Sequence, residues 1–351
     1  MKATPLVSII INNYNYEQFL PAAIDSAIAQ TYSPKEIIVV DDGSTDGSRE
    51  IIGQYADKIT PCFQANGKQG AALNTGFSAS HGEIIFFLDA DDYLLPHAVE
   101  KVVDVWTVET FKAHFRLRIV DGEGNPSNKY LPPTTMELAS GDVRTKILSG
   151  SGYISTPMSG NAYSRERLAN LFPIPPQYNT TADDYLMISS PFYGEIVGIE
   201  EYLGAYRIHG SNQWALTTVS GSRFRRFVSH DLQNYALLIQ RAKEFDIDIP
   251  SDLESRGIGR IWSRLASLKL EPKEHPVESD SVLHLLYWGI RCLWKYANYN
   301  FPKKIIYTFL FLWVALTPTP LSKLGITWLY APHLRPKFID NTLTKLRTLV
   351  S

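Results

Sequence analysis

The stretch Phe86-Phe87-Leu88-Asp89-Ala90-Asp91-Asp92-Tyr93 ends an apolar run in three carboxylates. A buried, unpaired carboxylate is costly, so Asp89, Asp91 and Asp92 are expected to face water, a cation or a cationic group rather than the core. Hard divalent ions take oxygen ligands, and Mg2+ is held by one or two carboxylates with substrate phosphates and water completing its shell. The stretch therefore reads as a strand that delivers a metal bridging protein and diphosphate. Because Asp-x-Asp is also the sequence of an ordinary acidic turn, the flanking chain has to decide.

Upstream, Leu6 to Ile11 is too short for a helix and rich in Ile, as suits a strand buried on both faces; Asn12-Asn13-Tyr14-Asn15 ends it as a polar loop. Leu20, Ala23, Ile24, Ala27 and Ile28 recur at helical spacing, with Pro21 tolerable in a first turn. Ile37 to Val40 reads as a second strand, Arg49 to Tyr55 as a short helix, and Ile59 to Phe63 as a third strand that Pro61 pushes toward an edge. A helix is predicted over 71–79 and a strand over 83–88. Such alternation predicts a parallel, Rossmann-like sheet whose ligand lies beyond the carboxyl ends of the strands. Tyr14, Asp42 and the Asp89 to Asp92 cluster all fall at such ends.

Asn66-Gly67-Lys68-Gln69-Gly70 puts two glycines and a lysine before a helix, which suits an anion at the helix N-terminus, but it matches neither a P-loop nor Gly-x-Gly-x-x-Gly. Farther on, residues 121–126 read as a hairpin or loop, and Ser149-Gly150-Ser151-Gly152 as a glycine-rich segment of the kind that forms lids. Asp183 and Asp184 open an apolar helix, where either could simply cap it.

In order and spacing these residues resemble glycosyltransferase family 2, the inverting nucleotide-sugar transferases of GT-A fold, over roughly residues 5–213. Asn12-Asn13-Tyr14-Asn15 stands where the family has a Pro-x-Tyr-Asn-like turn, with Asn12 departing from proline. Val39 to Asp46 carries the Val-Val-Asp-Asp-Gly-Ser-x-Asp block intact, and Ala72-Leu73-Asn74-Thr75-Gly76 resembles Ala-Arg-Asn-x-Gly with Leu73 replacing the arginine, so that Lys68 would take over its contact. The resemblance implies that Tyr14 stacks on the nucleobase, that Asp42 accepts from its N–H edge, which favours uracil, and that Asn12 and Lys68 also bind nucleotide. It implies that Asp89 contacts the ribose, or the metal through water, and that Asp91 ligates a divalent metal, Mn2+ or Mg2+. An inverting transfer needs a general base, and the family's Glu-Asp-x-x-Leu pattern maps it to Asp183 or, in a shifted register, to Asp184. Arg207-Ile208-His209 resembles the late Arg-x-His element and brings His209 to the metal or diphosphate, while Gly160 and Asn161 would flank the acceptor pocket.

The expected architecture is α/β: a catalytic domain over 1–213 with a GT-A, Rossmann-like, mostly parallel sheet flanked by helices, then a helical C-terminal region over 214–351. In that region Leu232 to Ala242, Ile258 to Leu268 and Ile305 to Leu316 have helical or continuous apolar spacing. The last is too short to span a bilayer. Lys303, Lys304 and Lys323, with Trp288, Trp294, Trp313 and Trp328, resemble an interfacial anchor on an anionic membrane, and residues 291–351 are basic, Asp340 being their one acid. The other reading of this region is a buried appendage or a homodimer interface.

A net charge of -2 gives no general pull toward nucleic acid, and two distant cysteines, Cys62 and Cys292, suggest neither a disulfide framework nor a zinc site. With no signal-like leader, the expected location is cytoplasmic, peripheral on the cytoplasmic face of the membrane. The expected partners are a nucleotide-sugar donor and a saccharide or lipid-linked acceptor, in cell-surface polysaccharide or glycolipid synthesis. Competing readings are a nucleotidyltransferase, which would carry a basic glycine-rich loop where Asn12 to Asn15 stands, and a catalytically silent nucleotide-sugar-binding or membrane-scaffold protein.

Overall fold

The structure, a computed structural model, describes residues 4–150, 152–210 and 219–330. The chain forms two compact units, Met1–Ile147 with Tyr153–Asn212, and Leu148–Gly152 with Gln213–Ser351.

The first unit opens as β1 (Val7–Asn13), α1 (Leu20–Ile28), β2 (Lys35–Asp41), α2 (Ser48–Gln54), β3 (Thr60–Phe63), α3 (Lys68–Ala79) and β4 (Ile84–Asp89). The predicted alternation is all there. β5 (Tyr93–Leu94), α4 (Ala98–Asp104), β6 (Thr110–Val120), β7 (Pro126–Leu131), α5 (Arg144–Leu148), β8 (Asn161–Ser164), α6 (Arg165–Leu168), α7 (Ala182–Ser189) and β9 (Glu195–Arg207) follow. One sheet runs β3-β2-β1-β4-β8-β6-β9-β5, with β7 paired to β6.

Pairing is parallel among β3, β2, β1 and β4, and the sheet is mixed beyond, because β8 lies antiparallel to both β4 and β6. Strand order reverses at β1, which sits between β2 and β4. That reversal opens a crevice at the carboxyl ends of β1 and β4, where open α/β sheets bind ligands. The antiparallel β8 also matters: its N-terminal end meets the carboxyl end of β4 and carries the turn at Met158–Gly160 to the crevice. Pro61 lies on the edge strand β3, where its missing N–H costs no ladder bond.

The core is built by the apolar strands β1, β2 and β4, by α1, and by one face of β6 comprising Ala113, Phe115 and Leu117. α3 packs close on β1: a Cβ added at Gly76 would stand 2.3 Å from Ile10 Cγ2. Asn74, in the same helix turn, pairs both amide atoms with the backbone of Ile174, at 3.0 and 2.7 Å. The motif Ala72 to Gly76 thus carries packing and a backbone clamp. Its Leu73 is fully buried.

The second unit contains α8 (Gly221–Glu244), α9 (Ile258–Leu270), α10 (Val282–Lys295), α11 (Phe301–Leu316) and α12 (Thr319–Tyr330). Its core stacks Trp262 on Phe311 with centroids 3.9 Å apart. Of the four tryptophans expected at an interface, Trp294 is exposed, while Trp288, Trp313 and Trp328 are half-buried. Arg335, Lys337, Asp340, Lys345 and Arg347 lie outside the described residues.

Gly76→Ala measures how tightly α3 is seated. Alanine gains about 1 kcal/mol in helix propensity, but overpacking a full core costs about 1–3 kcal/mol, and a 2.3 Å approach to a side chain fixed on β1 makes the second effect larger. The variant is expected to unfold at lower urea concentration than the native chain. Equal or greater stability would contradict the packing.

Candidate active site

At the crevice, Asn12 of β1 and Asp89 of β4 are register partners. Asn12 Nδ2 donates to Asp89 Oδ1 at 2.9 Å, and Gln69 Nε2, one residue into α3, donates to the same oxygen at 3.0 Å. Asn12 Oδ1 is buried and has no hydrogen-bond partner. Burial first, then the neighbouring Asp91 charge, pushes the Asp89 carboxyl up to about 6, against the two amide donors.

The rest of the acidic stretch divides its work. Asp91 Oδ2 lies 3.0 Å from His209 Nε2, just past the end of β9, and the imidazole is packed by Phe19 and by the edge of Tyr16. Asp92 does not face solvent, contrary to the expectation for all three carboxylates. It is 1 % exposed and accepts from Ser159 Oγ at 2.6 Å and from Arg207 N at 2.9 Å. Those two bonds satisfy it inside the fold, and burial with the Asp91 and Asp89 charges pushes its carboxyl well up. Asp92 thereby ties the end of β4 to the Met158–Gly160 turn and to β9. Ser159 Oγ also accepts from Asp89 N, and Arg207 Nε donates to Asp91 O.

Tyr14 is 44 % exposed, with Lys68 Nζ 5.9 Å from its ring centroid. Asp42 is buried, and it accepts from Gln64 Nε2 and Gly67 N through Oδ1 and from Lys68 N through Oδ2. It therefore satisfies the start of α3 from a distance, where helix N–H groups lack partners, and it holds Lys68 at a left-handed φ of 72°. The helix N-terminus expected to meet a ligand anion already meets this carboxylate.

Asp183 and Asp184 occupy the first turn of α7 without capping it through a side chain. Burial, then Asp89 and Asp184, push the Asp183 carboxyl well up; Lys112 and the Met158 N–H oppose this. Gly160 and Asn161 are buried. A Cβ at Gly160 would lie 2.7 Å from Thr156 Oγ1, and Asn161 Nδ2 donates to Thr156, Pro157 and Met158 carbonyls. Both shape the 156–160 turn, and the Asn161 amide nitrogen is spent on the carbonyls of that turn.

Residues 8–152 match the family model described as glycosyl transferase family 2. The segment is a glycosyl transferase family 2 domain. The chain is 42 % identical over 215 residues to an uncharacterised glycosyltransferase, alr2836, of Nostoc sp., covering 59 % of this chain and 66 % of the relative. It is 48 % identical over 93 residues to the uncharacterised glycosyltransferase EpsJ of Bacillus subtilis, covering 26 % and 27 % respectively. The matches thus span just under two thirds of the first relative and about a quarter of the second. In fold, the chain is similar to Staphylococcus aureus TarS 1–349 in complex with UDP-GlcNAc (TM-score 0.51, 17 % identity, 87 % of this chain and 90 % of that one). It is also similar to the mannosyltransferase PcManGT from Pyrobaculum calidifontis in complex with GDP-Man and Mn2+ (TM-score 0.50, 16 % identity, 92 % and 88 %). The fold is GT-A.

Among its described residues the family 2 domain holds no group of three or more metal-ligating side chains. The Asp91–His209 pair nonetheless fits a divalent ion. Ligands at about 2.1 Å on adjacent octahedral corners stand about 3.0 Å apart, and a pair leaves corners for phosphate oxygens and water. Gln69 stands inside the lysine segment but was assigned no role there, and Ser159, Tyr16 and Lys112 were assigned none. Their signal is tertiary.

The pH dependence of stability follows from Asp89. The folded chain keeps its proton to about pH 6, against an ordinary value of 3.8, so the fold loses stability as pH rises across that interval and stays at the lower level above it. Asp89→Asn, which keeps an acceptor for Asn12 and Gln69, is expected to raise the melting temperature at pH 7.5 and change it little at pH 4. A variant less stable than native at pH 7.5 would contradict the like-charge account.

Proposed function

We propose that the chain is an inverting, metal-dependent glycosyltransferase that moves a sugar from a nucleoside diphosphate, with UDP the favoured carrier, to an acceptor hydroxyl. The observation that carries this reading is the set of side chains beyond the strand ends: the Asn12–Asp89 pair, the Asp91–His209 pair, and Asp183, on which Asp89 acts electrostatically. Tyr14 offers an exposed ring for base stacking with Lys68 beside it, and Asp42 Oδ2 has acceptor capacity left for a base N–H. The unpartnered Asn12 Oδ1 suits a ribose hydroxyl donor next to Asp89. Asp91 and His209 would hold the divalent ion, which when bound stabilises the charge that develops on the departing diphosphate.

Asp183 is the base in this reading. A carboxyl pushed well above its ordinary value takes a proton from the acceptor hydroxyl more readily than a solvated one. TarS bound to UDP-GlcNAc and PcManGT bound to GDP-Man with Mn2+ support a nucleotide-sugar donor and a divalent ion. A panel of nucleotide sugars with Mn2+, Mg2+ or chelator, read as nucleoside diphosphate release, tests the reading. At least one donor is expected to turn over with metal and not with chelator, and Asp183→Asn to lose at least about a hundredfold, the lower range for a general base. Nucleotide binding without turnover under any condition would favour the silent-scaffold reading, and undiminished turnover by Asp183→Asn would refute the base.

One observation favours peripheral membrane attachment of the second unit. Phe301, Ile305, Phe309, Leu312 and Leu316 are exposed on α11 and fall within one arc of about 80° at 100° per residue, while Phe311, Val314 and Ala315 are buried on another side. Exposed Lys295, Lys303 and Lys323 flank this face, matching an anionic surface. No helix of the described residues is long and apolar enough to cross a membrane. The full chain is expected to float with phosphatidylglycerol vesicles, and Phe309→Ser/Leu316→Ser to float several-fold less. A native chain that stays with the soluble fraction, or that forms a dimer lost in the double variant, would replace the membrane with a second copy.

A further inference from the structure

Asp42 follows β2 directly and is 3 % exposed, so protein donors, not solvent, set how its carboxylate is turned. Left alone, an aspartate carboxylate swings easily, because its terminal torsion is broad and roughly two-fold. Here three N–H groups converge on it. Gln64 Nε2 at 2.6 Å and Gly67 N at 2.8 Å both donate to Oδ1, and Lys68 N donates to Oδ2 at 2.8 Å. A carboxylate offers about four lone-pair sites, shared equally by its oxygens. Oδ1 is therefore filled, and Oδ2 keeps one site.

The donors from Gly67 and Lys68 are backbone, placed by the loop that leads into α3. That loop is held without the Gln64 side chain: Gln64 N donates to Asp41 O at 3.0 Å, Asn179 Nδ2 donates to Gly67 O at 2.9 Å, and a Cβ at Gly43 would stand 2.7 Å from Asn66 N. The remaining donor is a side-chain amide, which could present either end. Chemistry settles the choice. A carboxylate only accepts, so Nε2 must face Asp42, and Oε1 is left to accept from the Thr75 hydroxyl of α3. Thr75, Gln64 and Asp42 thus form a relay in which a hydroxyl fixes an amide and the amide fixes a carboxylate.

We propose that Gln64 and Thr75 are positioning residues for donor selection: they hold Asp42 to one acceptor site, which takes a nucleobase with an N–H at that edge, as uracil has at N3, and turns cytosine away. The proposal rests on the reading of Asp42 as the base contact of a nucleoside-diphosphate site. Cytosine has a bare nitrogen at N3, an acceptor that would meet the carboxylate lone pair. Its donor is the amino group one position along the ring. Reaching that group takes a carboxylate free to turn, which the relay prevents. Without the relay Oδ1 regains an open site, Asp42 turns, and the two bases are bound more nearly alike.

Equilibrium binding of UDP and of CDP to the full chain with Mn2+ tests this. The native chain is expected to favour UDP by at least about tenfold, the lower range for a hydrogen bond to a charged group. Thr75→Val, which keeps the volume and removes the hydroxyl, and Gln64→Met, which removes the amide, are each expected to lower that ratio several-fold. Thr75→Ser, which restores the hydroxyl, is expected to keep it. A merely structural role would weaken both nucleotides alike. Equal losses at a constant ratio, an unmoved ratio in either variant, or a fall in Thr75→Ser as large as in Thr75→Val would overturn the proposal and leave the UDP reading standing. A native chain that binds CDP as well as UDP would also overturn it. A native chain that binds neither nucleotide would refute UDP as the carrier and the proposal with it.

Discussion

Like-charge repulsion among carboxylates at one end of the sheet is the constraint on which the rest of the first unit turns. Burial first, then neighbouring carboxylates, push Asp89, Asp92 and Asp183 toward the protonated form: Asp91 acts on Asp89, Asp91 and Asp89 on Asp92, and Asp89 and Asp184 on Asp183. A fold that assembles such a group gives up stability at neutral pH, since the unfolded chain would release those protons freely. The surrounding structure limits the loss unevenly. Asp92 accepts through both oxygens, from Ser159 and Arg207; Asp89 accepts two amides on Oδ1 alone; and Asp183 has the Met158 N–H and the electrostatic pull of Lys112. The least satisfied carboxylates are the ones to which chemistry is assigned.

The topology explains why these groups meet. Reversal of strand order at β1 separates α-helical crossovers and leaves the ends of β1 and β4 open. β8, running against β4, brings Ser159 to Asp89, and β9, parallel to β6, ends at Arg207 with His209 just past it. Asp92 then fastens that end of β9 to the acidic stretch through one backbone bond. Residues more than a hundred positions apart are held by three hydrogen bonds to two adjacent residues, Asp91 and Asp92.

Much of this was legible in the sequence. Strands β1, β2 and β4 are apolar runs of strand length ending in polar residues, and the loops that follow them carried the recognisable motifs. Asp92 was misjudged because sequence shows a carboxylate but not the hydroxyl and backbone N–H that meet it from 67 and 115 residues away. Asp42 stood out in its sequence block, yet its bonds to Gly67 and Lys68 depend on how β2 abuts the start of α3. Asn161 matched a motif, but its amide turned out to hold its own turn. Lys112 lies in a stretch to which no element was assigned from sequence, and nothing local distinguishes a solvated lysine from one enclosed by two tyrosines.

In the proposed function, a divalent cation and a nucleoside diphosphate complete the acidic crevice together. The most direct measurement is the melting temperature of the full chain at pH 7.5 with Mn2+, with UDP, and with both. Both together are expected to stabilise by more than the sum of the two alone, and Asp91→Asn to abolish that excess. Additive shifts, or an excess that survives Asp91→Asn, would contradict it.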